Sequence, residues 1–132
     1  MTVIYTRHGA LKPGNKSDWC QTPAAEYFRM PKEGGKHDCH YHDYNELYLV
    51  CGGKAKILNN GKENYVQAHD IVCIKTGDEH DILEVYGEED FELLWLYEPG
   101  TEGGRLGHLH RSPQQEQGHP VSARPIPSNF PN

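Results

Sequence analysis

The sequence predicts an all-β domain. Short β-prone runs recur about every 8–12 residues, Gly, Asn and Asp punctuate them, and no long 3.6-residue apolar period competes. At 132 residues the chain is one ordinary domain's worth, too short for two independent cores. Residues 1–25 read as an N-terminal arm with a turn at Lys12-Pro13-Gly14-Asn15. The strand-like runs follow at 26–30, 46–51, 54–58, 65–67, 70–75, 81–86 and 91–97. Residues 55–66 form a predicted hairpin turning at Asn60-Gly61, because Asn and Gly tolerate the positive φ of tight β-turns. Strands so spaced suggest a sandwich or small barrel occupying 26–110. Residues 111–132, with five Pro, three Gln and little aliphatic periodicity, are expected to be an extended tail, disordered or laid along a partner subunit.

Charge and composition exclude several functions. Thirteen Lys and Arg against nineteen Asp and Glu leave a formal charge of -6, which argues against nucleic-acid or anionic-membrane partners. No apolar stretch nears the roughly 20 residues that span a bilayer. Residues 1–10 lack the apolar centre of a secretory signal, so the expected compartment is the cytoplasm. Cys20, Cys39, Cys51 and Cys73 form no CxxC pair and are expected to be reduced thiols.

The nine histidines are the unusual count. In a strand, His40, His42 and Glu46 share one parity, so two imidazoles and a carboxylate face one side if the strand runs unbroken; a bulge at 43–45 would break the convergence. Downstream, the apolar run 70–75 leads through Gly77 to His80. Nitrogen and oxygen ligands of this kind suit one divalent transition metal, Fe, Mn, Ni, Co or Zn, with positions open for water or substrate.

These residues resemble the cupins. Gly34, His40, His42, Glu46 and Gly53 fill the first cupin motif, G-x5-H-x-H-x3,4-E-x6-G, at every position. Of the second motif, G-x5-P-x-G-x2-H-x3-N, the sequence keeps Gly77 and His80; Lys75 replaces the Pro, Glu84 the Asn, and His69 the leading Gly. The resemblance implies a double-stranded β-helix, a small jelly-roll barrel, with metal ligands His40, His42, Glu46 and His80. Cupins commonly pair through an apolar sheet face, so a homodimer is expected.

Other residues are assigned around these ligands. Tyr48 shares their parity and is a candidate acid/base or else a core aromatic with a satisfied hydroxyl; Glu84, of one parity with His80 and Ile82, is an acid/base candidate with a raised pKa if it faces the interior, or else an exposed charge at a strand end. Arg29 is a candidate clamp for a substrate carboxylate, the alternative being a solvated or salt-bridged surface role. Trp95 is a candidate substrate contact on the face formed by Phe91, Leu93, Trp95 and Tyr97; Leu94 and Leu96 form the other face, expected to be covered by a second sheet or subunit. His37, of opposite parity to the ligands, reads as a rim residue, and Cys39 as facing away. His108 and His110 resemble a chelating pair but lack an acid in register, and read as loop contacts.

The expected activity is metal-assisted proton transfer on a small polar carboxylate, carbonyl or sugar-like substrate, of the lyase or isomerase type. The alternatives are an Fe(II) dioxygenase of the cupin type and a non-enzymatic ligand- or sugar-sensing module. Residues 42–50 also resemble the effector-binding half of AraC-type regulators, whereas the Pro-rich end shows no helix-turn-helix pattern.

Overall fold

The computed structural model describes residues 9, 11, 16, 17, 19–98 and 107–131. The turn expected at 12–15 lies outside the described residues. Nine strands and one short helix follow in order: β1 (Ala25–Met30), β2 (Gly35–His37), β3 (Glu46–Gly52), β4 (Lys54–Asn59), β5 (Lys62–Gln67), β6 (Ile71–Ile74), β7 (His80–Tyr86), β8 (Phe91–Tyr97), α1 (Pro113–Gln117) and β9 (His119–Arg124). They build a four-stranded sheet, β1-β8-β3-β6, facing a five-stranded sheet, β2-β9-β7-β4-β5.

Alternation decides what lies between the sheets. Tyr48 and Val50 of β3, Phe91 and Leu93 of β8, Ala55 and Ile57 of β4 and Ile82 and Val85 of β7 meet in one buried cluster. The β4–β5 hairpin turns where expected: Asn60 and Gly61 have φ of 51° and 78°, the two left-handed residues of a type I′ turn. The described cysteines are all free thiols. Leu94, on the outer face of β8, is 40% exposed, so that face is open on the single chain.

The tail expectation is corrected. Residues 113–117 are helical, capped by the Ser112 hydroxyl, which accepts from the Gln115 N–H at 3.3 Å. Residues 119–124 form β9, antiparallel to β2 and parallel to β7, and so part of the chain's own second sheet. Phe130 then packs on Tyr65 and Tyr86, with ring centroids 4.9 and 6.0 Å away. Composition misled because β9 buries only Val121 and carries Pro120; its order comes from pairing with residues 38 or more positions earlier in the chain.

Two motif glycines have clear structural causes. Gly34 has φ +87°, and a Cβ there would collide with the Val121 carbonyl of β9; Gly53 has φ +75°, and its Cβ would lie 2.8 Å from Phe91 Cα. His69, at the motif's leading Gly position, has φ 79°, so this imidazole-bearing residue occupies a backbone conformation suited to Gly. Gly34→Ala and Gly53→Ala are expected each to cost about 2–4 kcal/mol. His69→Gly should gain about 0.5–1 kcal/mol. Urea denaturation midpoints at constant m-value check all three.

Candidate metal centre and its cavity

His40 and His80 are joined by a two-bond antiparallel bridge: the His40 N–H donates to the His80 carbonyl at 3.1 Å, and the His80 N–H to the His40 carbonyl at 2.8 Å. This pairing sets their rings side by side, centroids 4.3 Å apart. His42 is held by the Gly77 N–H, which donates to its carbonyl at 3.0 Å. The chain then bends at Asp43 and Tyr44 instead of running on as strand, and β3 begins only at Glu46. The unbroken strand is therefore absent, yet the side chains converge. Asn45 Oδ1 accepts from the Thr76 N–H and hydroxyl at 2.8 and 2.9 Å, tying this bend to the turn before His80.

All three imidazoles are fixed in one tautomer. Nδ1–H of His40 donates to the Asp38 carbonyl at 2.8 Å, that of His42 to the Gly107 carbonyl at 3.0 Å, and that of His80 to the Asp78 carbonyl at 3.1 Å. Each Nε2 is left with a bare lone pair, and one ligand atom from each ring lies within 4.8 Å of the others. Glu46 Oε1 lies 3.3 Å from His80 Nε2 and 3.5 Å from His42 Nε2. The four residues are 1–4% exposed, and Glu46 Oε1 and His80 Nε2 have no hydrogen-bond partner. Lone pairs brought together without protons between them repel, and a cation at their centre removes the conflict. Burial, His80 and His108 push His40 down to about 2, which keeps it neutral. Neutral imidazoles and an ionised carboxylate are the forms that bind a divalent ion.

Three of the four, His40, His42 and Glu46, sit in the wall of a cavity of about 670 Å³. Much of its remaining wall is aromatic and aliphatic: Phe28, Tyr44, Tyr48, Ile82, Leu93 and Trp95. Tyr44, which the sequence reading passed over, is 1% exposed, lies nearly parallel to His42 at 4.5 Å, and donates from its hydroxyl to that of Tyr97 at 2.6 Å. Tyr48 lies edge-on to His80, and burial drives its hydroxyl pKa well up, so it is a neutral phenol. Trp95 lines the cavity and stacks on Tyr97 at 5.1 Å.

Other assignments are corrected. Arg29 points out of β1 and is paired with Asp90 at 2.7 Å, because alternation turns Phe28 and Met30 inward. Glu84 lies on the outside, accepting from Tyr86 at 2.8 Å and facing Arg124 and Lys56 at 3.5 and 3.9 Å. A register shift causes this: Lys56 pairs with Glu84 but Ile57 pairs with Ile82, so Leu83 is an extra residue and the parity of β7 reverses after Ile82. His37, expected at the rim, lines the cavity. His108 and His110 do have an acid: Asp38 Oδ2 lies 3.0 Å from His108 Nδ1 and 2.6 Å from His110 Nε2, and the His108 ring stacks on His40 at 3.5 Å. Burial pushes the Asp38 carboxyl up, but His110, His40 and His108 hold it at about 2. Cys39 faces Glu79, and burial with nearby carboxylates pushes its thiol up to about 11, too high for a thiolate ligand at neutral pH.

A second buried carboxylate, Asp81, also went unremarked in the sequence. It is 5% exposed; Oδ1 lies 2.8 Å from His37 Nδ1 and Oδ2 2.7 Å from His119 Nε2. The only sequence signal is an acid within an otherwise apolar strand start.

A family model described as a cupin domain matches residues 26–97. A curated protein of Sinorhizobium fredii, described as uncharacterized, is 32% identical over 73 residues; the match takes in 54% of this chain and 32% of that protein, so the chain spans about a third of its length. Among solved structures, the DMSP lyase DddQ of Ruegeria pomeroyi is 25% identical, with a TM-score of 0.53 over 63% of this chain and 41% of that one. A cupin protein of Bacteroides fragilis is 19% identical, with a TM-score of 0.55 over 88% and 91% of the two chains, and shows the shared fold.

His119 provides a pH test of the β9 docking. Burial lowers its pKa, but the Asp81 carboxylate and the Pro120 carbonyl prevail and raise it above 6.5. A raised folded pKa contributes stability that is full below the unfolded value and is lost as pH rises through the folded value. The stability difference between wild type and His119→Gln is therefore expected to be larger near about pH 6 than near about pH 9. Denaturant titrations at both pH values measure it.

Proposed function

The chain belongs to the cupin family, and on that premise we propose that it is a mononuclear metal-dependent enzyme. It acts on a small substrate bearing a carbonyl or carboxylate, by proton transfer of the lyase or isomerase type. The observation that carries this reading is the set of three Nδ1-tethered histidines whose Nε2 atoms converge with an unpartnered Glu46 oxygen. His40, His42, Glu46 and His80 would hold one Fe, Mn, Ni, Co or Zn ion. When bound there, such an ion supplies Lewis-acid polarisation of a substrate oxygen. The aromatic walls favour a substrate whose body stacks or packs while its polar head meets the ligands.

With Glu84 outside, Tyr48 is the remaining acid/base candidate of the original pair. As a neutral phenol in the cavity wall it is suited to donating a proton or a hydrogen bond to developing negative charge. Trp95 takes the substrate body. The likeness to a DMSP lyase at 25% identity supports the lyase branch. The outer sheet face bearing Leu47, Leu49, Leu94 and Leu96 is the surface for a homodimer. No helix among the described residues is long and apolar enough to cross a membrane; a cytoplasmic location is part of the same proposal.

Elemental analysis of protein purified without chelator or an affinity metal tests the reading. Near-stoichiometric metal in wild type and in Glu84→Gln and Arg29→Ala is expected, with loss of at least about tenfold in affinity in His40→Ala, His80→Ala and Glu46→Gln. Wild-type protein that takes up no first-row ion even on reconstitution sinks the enzyme reading. Iron as the resident ion, with O₂ consumed on substrate addition, favours the dioxygenase instead.

A further inference from the structure

One cluster beside the centre is not used by that reading. Asp81 is clamped between two histidines from different strands, His37 of β2 and His119 of β9, themselves cross-strand partners. Both nitrogens of His119 face acceptors: Nε2 meets Asp81 Oδ2 at 2.7 Å and Nδ1 meets the Pro120 carbonyl at 2.8 Å. Two acceptors need two N–H groups, so His119 is an imidazolium and balances the Asp81 carboxylate. The other carboxylate oxygen, 2.8 Å from His37 Nδ1, requires a proton on that nitrogen, since a lone pair there would face an anion. The Ile82 N–H, 3.3 Å from the same atom, is the weaker contact.

The proton on Nδ1 leaves His37 Nε2 as an acceptor. The side chain is only 10% exposed, lines the cavity, and stands against Phe28 and His40 with ring centroids 6.1 and 5.5 Å away. A ligating atom of His37 lies within 4.8 Å of one of His40. Nε2 has no hydrogen-bond partner among the described residues. An acceptor nitrogen on a ring that lines the cavity beside His40 is placed to take a donor from the bound molecule.

We propose that His37 Nε2, set by the His37–Asp81–His119 chain, accepts a hydrogen bond from a substrate hydroxyl. The substrate class is then hydroxyl-bearing carboxylates with a ring or other apolar body. The carboxylate goes to the centre formed by His40, His42, Glu46 and His80, the hydroxyl to His37, and the body to Phe28, Leu93 and Trp95. This rests on the metal-centre reading above. Asp81 and His119 are positioning residues: they fix the tautomer and do not touch the substrate.

Two measurements on zinc-loaded protein test it. Zinc is diamagnetic, so ¹⁵N-histidine long-range correlation spectra report the tautomers directly, without any substitution. His37 is expected as the Nδ1–H form with bare Nε2, His119 with both nitrogens protonated, and the His37 preference lost in Asp81→Asn. Calorimetric titration with mandelate and with its O-methyl ether then measures selectivity for the hydroxyl. Wild type is expected to prefer mandelate by a factor that falls about tenfold in His37→Phe, the loss of one hydrogen bond. Comparing the two ratios removes whatever chelation contributes in both proteins.

An Nε2–H or doubly protonated His37 overturns the proposal, as does a preference unchanged in His37→Phe. Zinc-loaded wild type that binds neither probe also overturns it, while leaving the metal centre standing. Protein that takes up no zinc or other first-row ion brings down the metal centre itself, and this proposal with it.

Discussion

The centre depends on one short piece of backbone pairing, the bridge between His40 and His80. These residues are forty positions apart in the chain. Two main-chain hydrogen bonds place both imidazoles on one spot before any side-chain interaction is considered. Side-chain contacts alone would be a poor way to hold such a set, since converging lone pairs and a carboxylate repel one another. The backbone bears that repulsion: the bridge, the Gly77-to-His42 bond and the Asn45 bonds to Thr76 form a rigid frame around it. Backbone carbonyls then take the Nδ1 protons and settle the tautomers. Preorganisation of this kind is what distinguishes a metal centre from an incidental cluster of histidines.

The same frame explains why much of the site was legible in sequence. Strand alternation within β3 and β8 correctly set Glu46, Tyr48 and Val50, and Phe91, Leu93 and Trp95, on inward faces. The motif glycines were legible for a firmer reason: at Gly34 and Gly53 the backbone is left-handed and a neighbouring main chain leaves no room for a Cβ. His69 shows the converse. It keeps the left-handed backbone of the position while departing from the residue type that fits it best.

Parity failed wherever the ladder was irregular. Counting by twos from His80 put Glu84 inside, but the extra residue at Leu83 reverses the count, and a carboxylate expected in the cavity instead meets Arg124 and Lys56 at the surface. Between His42 and Glu46 parity reached the right residues although the strand it assumed is broken there. Arg29 illustrates a further limit: no motif fixed the register of β1, and its guanidinium faces Asp90 across a strand pair that joins distant sequence. β9 is the largest instance. A strand with one buried residue and a proline carries no local signature, and its order is supplied entirely by β2 and β7.

Docking β9 also changes the electrostatics of the cavity wall. Without it, Asp81 would be a buried carboxylate facing His37 alone. His119 arrives with both nitrogens engaged as donors and sets a second hydrogen-bond partner against the Asp81 carboxylate. On the proposed reading the Asp81 oxygen that faces His37 takes its Nδ1 proton and leaves the other nitrogen bare. Asp38 serves the opposite rim in a related way, drawing His108 and His110 together so that His108 covers His40. Asp38 and Asp81 are therefore each matched by histidines from the C-terminal segment. Residues 107–124 thus belong to the site as much as the two motif-bearing segments do: they close the second sheet, carry the carbonyl that holds His42, and fix the charge state of the wall a ligand would meet.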